Sequence, residues 1–194
     1  MGKKNRYENC VLDIEDDGIV NIVCNNAEQK QALIELVSGL QVKQGVCVLK
    51  DMDTIHHLNE YKKKVDVIDI DKVDSTLSVK NYLVFYTMVT GVYRDKTIEE
   101  FMQLCERSGM KDLLDKPINA LDKQDKIKVR CLAAYLKKID CLVGKDLFVD
   151  LECRQKEDIL SFISEYFRKK HCLCLLFESS RLQTEESIDA VYVL

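Results

Sequence analysis

Short apolar runs rich in β-branched residues alternate along this chain with stretches whose apolar positions recur every three or four residues. No other feature constrains the fold as much. IVNIVC (19–24), GVCVL (45–49), CLVGKDLFV (141–149), CLCLLF (172–177) and AVYVL (190–194) read as strands, and VDVIDI (65–70) reads as a strand with one wet face. Between them, Leu33, Leu36, Val37 and Leu40 share one helix face, residues 78–114 are helical with a break at Gly109, and Val129, Leu132, Ala133 and Leu136 line a helix over 122–137. A further helix is predicted over 155–169. Strand–helix–strand alternation with continuous apolar strands implies an α/β domain around a mostly parallel, buried sheet. The expected organisation is one domain over 1–194, with a helical subdomain inserted at about 78–118.

Composition narrows the function. The net charge of -4 and pI near 5.5 leave no basic surplus for releasing counterions from nucleic acid, so no nucleic-acid partner is expected. Nine cysteines at irregular spacing, with no C-x-x-C pair, read as reduced core residues rather than disulfides or a metal set. The N-terminus MGKKNRYENC is polar and reads as no secretory signal. No apolar run reaches the eighteen or so residues of a membrane span, so membrane contact is expected only through a partner.

Four segments in order carry a resemblance. VNIVCNNAEQKQALIELVSGLQVKQGVCVL (20–49) resembles the Walker A strand, loop and helix of the nucleotide-binding subunit of ABC transporters. TLSVKNYLVFYTMVTG (76–91) is similar to that family's entry into its helical lobe. KDLLDKPINALDKQDKIKVRCLAAYLKKIDCLVGKD (111–146) matches the signature motif, its helix and the Walker B strand without a gap. SSRLQTEESIDAVYVL (179–194) resembles the switch-histidine segment and final strand. The resemblance implies a P-loop NTPase-like core, ATP with magnesium as cofactors, and work alongside an integral-membrane permease.

At the motif positions themselves, most of the chemistry is missing. A Walker A loop, G-x-x-x-x-G-K-[ST], needs glycines so that backbone amides can converge on phosphates. The aligned residues are Cys24, Asn25, Asn26, Ala27, Glu28, Gln29, Lys30 and Gln31. Lys30 keeps the phosphate-lysine position; its alternative is an ordinary first-turn lysine. Gln31 stands where a hydroxyl should ligate magnesium, and Glu28 brings a carboxylate towards the phosphates. At Walker B, Lys145 takes the magnesium aspartate's place and Asp146 that of the general-base glutamate. A lysine beside Lys30 would oppose a divalent cation; two unit charges at about 4 Å repel by about 4 kcal/mol at an effective dielectric near 20. The signature becomes Leu121, Asp122, Lys123, Gln124 and Asp125, with Asp122 readable as a plain helix cap. Ser179 replaces the switch histidine, and the loop after Walker B is Val149, Asp150, Leu151 and Glu152. The inter-lobe glutamine falls near residues 69–71. Tyr7 is the nearest candidate for the adenine-stacking aromatic, although the chain starts too late for the family's first strand.

The expected function is therefore a degenerate ABC ATP-binding subunit, a structural or regulatory partner of a permease, of an active homologous ATPase or of itself as a dimer. It would sit in the cytoplasm, peripheral to the inner face of the membrane. One alternative is a divergent but working ATPase that uses Lys30, Asp146 and Glu152 with a partner's motifs. Another is a soluble interaction module that reuses the fold.

Overall fold

The computed structural model describes residues 13–14, 17–41, 45–91, 97–182 and 187–194. Tyr7 lies outside them. Five strands form one parallel sheet in the order β4 (Val65–Asp69), β5 (Cys141–Lys145), β6 (Leu173–Glu178), β1 (Gly18–Val23), β7 (Ala190–Val193). Helices cross over both faces, which is why the central strands are apolar on both sides: every residue of β6 is buried.

One face is covered by α3 (Val79–Val89), α4 (Thr97–Arg107), α5 (Lys123–Lys137) and α6 (Cys153–Phe167), over a core that includes Ile19, Ile68, Leu142 and Leu176. The other face is covered by α1 (Ala27–Val37) and α2 (Leu58–Lys64), packed with Val20, Ile22, Val143 and Leu175. The helix starts follow from side-chain caps. Asn26, Ser78 and Asp122 accept hydrogen bonds from the amides of Gln29, Asn81 and Asp125, and Glu152 with Gln155 forms a reciprocal capping box at α6. Between β4 and β5 the chain runs through α3, α4 and short 3₁₀ turns before reaching α5.

Three expectations change. Residues 45–49 do not join the sheet: only Val48–Leu49 (β2) pairs, antiparallel, with Met52–Asp53 (β3) in a separate ribbon. An apolar run this short fixes no partner, and the tight turn at Lys50 and Asp51, both at positive φ, closes it locally. Leu40 is exposed, since α1 stops at Val37, and Ile34 is the buried apolar anchor of that helix. The supposed wet face of 65–70 is dry at Asp66, where an ion pair replaces water. The cysteine reading agrees with the burial of Cys24, Cys105, Cys131, Cys141, Cys172 and Cys174; Cys153 is exposed.

Candidate functional site

The carboxyl ends of β1, β5 and β6 bring Lys30, Asp146 and Ser179 together. Lys30 is buried although it sits in the first turn of α1. Its Nζ donates to Asp146 Oδ1 at 2.5 Å and to Ser179 Oγ at 2.8 Å, and Ser179 Oγ in turn donates to Asp146 Oδ1 at 3.4 Å. It is therefore not a solvated first-turn lysine. The three aligned positions bond to one another, and Asp146 pairs the lysine's charge.

The loop in front of Lys30 is short. β1 ends at Val23 and α1 begins at Ala27, so residues 27 and 28 are helical where a phosphate cradle has to stay open. Asn26 holds the Gln29 amide at 3.0 Å, taking one of the donors an anion would use. Gln31 donates to Glu35 at 2.8 Å on its own helix. Lys145 lies away from Lys30's partners: it pairs with Asp69 at 3.2 Å across the β4–β5 pair, where Lys72 also binds Asp69. Burial would raise the Asp69 carboxyl, but hydrogen bonds from Lys145 and Lys72 bring it below the ordinary value. The expected clash of Lys145 with Lys30 is thus replaced by two separate ion pairs.

The loop after β5 is held tightly. Gly144 permits it: a Cβ there would lie 2.6 Å from Leu147 Cδ1, and Asp146 adopts φ 48°. Glu178, buried at the end of β6, accepts the amides of Leu147 at 2.8 Å and Phe148 at 3.4 Å through Oε1. Burial, with the Asp146 carboxylate adding to it, pushes its carboxyl up to about 7 against the pull of those amides. Reading motifs residue by residue passed over Glu178; the signal was a carboxylate ending an otherwise apolar strand.

The signature residues also turn inward. Asp122 caps α5, Lys123 donates to the Val149 carbonyl at 2.6 Å, and Gln124 donates to Asp158 at 3.1 Å. Glu152 caps α6 instead of facing Lys30. A cleft of about 460 Å³ opens at this end along Phe148, Asp150, Glu178 and Ser179, and no residue of 24–31 lines it.

The structure of cbiO1 from Clostridium perfringens, part of the ABC transporter complex cbiONQ, is similar at a TM-score of 0.78 and 16% identity, covering 92% of this chain and 73% of that one. An ATP-binding cassette of an ABC transporter in its ADP conformation is similar at a TM-score of 0.73 and 17% identity, covering 92% and 76%. The fold is that of an ABC ATP-binding subunit. In sequence, the ABC transporter ATP-binding protein NatA of Bacillus subtilis is 21% identical over 187 residues, which is 94% of this chain and 75% of NatA. A tyrosine transport ATP-binding protein of Clostridioides difficile is 37% identical over 57 residues, 29% of this chain. No protein-family model matches the chain. The names of the relatives and the structural neighbours support the ABC ATP-binding subunit family.

ATP with magnesium, the cofactors that fold implies, fits this donor set poorly. The pattern that the resemblance implies asks for a glycine loop, a lysine, a hydroxyl and a carboxylate. Here those positions hold a helical turn, a lysine bonded to Asp146, a glutamine bonded to Glu35 and a lysine bonded to Asp69.

Proposed function

We propose that this chain is a structural or regulatory ABC ATP-binding-type subunit that does not hydrolyse ATP. The observation that carries the reading is the closed triangle of Lys30, Asp146 and Ser179 behind a loop already wound into helix. Phosphate would have to break a buried ion pair and unwind the first turn of α1 before meeting its first ligand. Substrate chemistry also needs a general base, and Asp146 is held in its ion pair with Lys30.

The partner in this reading is an integral-membrane permease, with an active homologous ATPase or a second copy alongside. Phe85, Met88 and Val89 support it: they stand exposed on one side of α3, spaced as neighbours on a helix surface. Among the described residues no helix is long and apolar enough to cross a membrane. In this reading attachment runs through that face, at the cytoplasmic side. The same exposed stripe would also suit a soluble partner, which is the reading a membrane-association assay separates.

Thermal unfolding with millimolar ATP, with and without magnesium, on the wild type and Lys30→Ala, tests the nucleotide half. Saturation at 100 times a dissociation constant stabilises by about 2.7 kcal/mol, a shift of several degrees for a domain of this size. The expected result is no magnesium-dependent shift. A rise abolished by Lys30→Ala would restore the divergent-ATPase reading, with Lys30 as phosphate ligand and Asp146 as base.

A further inference from the structure

A second buried charge cluster lies under α3. Asp66, the second residue of β4, is buried and accepts Arg130 Nη2 at 3.2 Å, Tyr86 OH at 2.7 Å and Lys137 Nζ at 3.4 Å. Arg130, equally buried on α5, also donates to the Val67 carbonyl at 3.3 Å and to Tyr82 OH at 3.3 Å. Its guanidinium lies 4.7 Å from the Tyr86 ring centroid, and the Tyr82 and Tyr86 rings stack at 6.4 Å. Three elements therefore meet at one carboxylate: the edge strand, the long helix α5 and α3.

The placement on α3 matters. Val79 and Leu83 anchor its first half by burial in the main core. Tyr82 and Tyr86 also pack against that core, and both end on Arg130 or Asp66. Phe85, Met88 and Val89 face away. A polar cluster of fixed geometry holds an element in one orientation more strictly than apolar packing, which tolerates sliding and repacking.

We propose that Asp66, Arg130, Tyr82 and Tyr86 form an orientational latch. It fixes α3 on the edge of the sheet, and so fixes the direction in which Phe85, Met88 and Val89 are presented, with no nucleotide needed to set it. The functional value of that fixed direction rests on α3 being the docking face, as proposed above; the latch itself does not.

Hydrogen exchange read by mass spectrometry on the full chain tests it. The variants are Tyr86→Phe, which removes one hydroxyl, and the double change Asp66→Asn with Arg130→Met, which removes both charges of the closest pair and leaves Lys137 on the Val65 carbonyl. The expected result is exchange at least about tenfold faster in the amides of α3, with those of β5 and β6 unchanged. Unchanged protection in α3, or equal acceleration in α3, β5 and β6, would overturn the latch. Loss of membrane association in Phe85→Asp with Val89→Asp reports on the docking face alone, so the two ideas fail separately.

Discussion

Two buried ion-paired centres divide this molecule. Lys30, Asp146 and Ser179 close the end of the sheet where the motifs align, and Asp146 keeps a third of its side chain in water. Asp66, Arg130 and Lys137 lie under α3, and both Asp66 and Arg130 are nearly dry. Burial works against the Arg130 charge, yet Asp66 and the two tyrosines raise its pKa above the ordinary value. The first centre joins one lysine to one carboxylate and one hydroxyl. The second gathers many partners around one carboxylate. The difference teaches that ion pairs in one fold can sit in unlike surroundings, one carboxylate a third in water and the other nearly dry.

The largest effect should come from the drier centre. Arg130→Met alone leaves Asp66 buried with only Lys137 and Tyr86, and should cost about 3–5 kcal/mol in urea unfolding. The Asp66→Asn and Arg130→Met pair should recover part of that loss; equal or greater loss in the pair would mean packing, not charge, dominates there. Next comes Glu178, which supports the loop of the first centre. Its folded pKa, raised from 4.5 to about 7, makes the native state hold the proton more tightly than the unfolded chain. The resulting stability is complete below pH 4.5 and is lost as pH rises through 7, by up to about 3 kcal/mol. Glu178→Gln keeps an acceptor for Leu147 and Phe148 and should flatten that decline when unfolding is followed from pH 5 to 8.

At the first centre itself, Asp146→Asn should cost only about 1 kcal/mol, because the carboxylate is one-third exposed and Ser179 still accepts from Lys30. A loss as large as that of Arg130→Met would erase the contrast between the two. The smallest effect belongs outside both: Phe85→Asp should leave stability within about 0.5 kcal/mol while abolishing membrane association.

The sheet, its parallel sense and the helices around it were legible because the apolar period changes with each element, and the order of segments added the fold. Lys30, Asp146 and Ser179 were each legible as altered motif positions. Their mutual bonds were not: 116 residues separate Lys30 from Asp146, and 149 separate it from Ser179. Periodicity ranks a position as in or out; it does not say which buried charge finds which. Asp66 shows the same limit, since a carboxylate in the run VDVIDI reads as wet without telling water from Arg130. The run 45–49 shows another, because a ribbon and a buried strand share one composition.

The three-residue turn between β1 and α1 bears on what single substitutions can do. Glycine at position 29 would leave Asn26 holding that residue's amide and helix still running from Ala27. Aspartate at 145 would put a second carboxylate beside Asp69 and leave Lys72 as its described lysine partner. A single change at either position therefore leaves the geometry around Lys30 as it is, because that geometry is set by where the helix starts and by the bonds to Asp146 and Ser179.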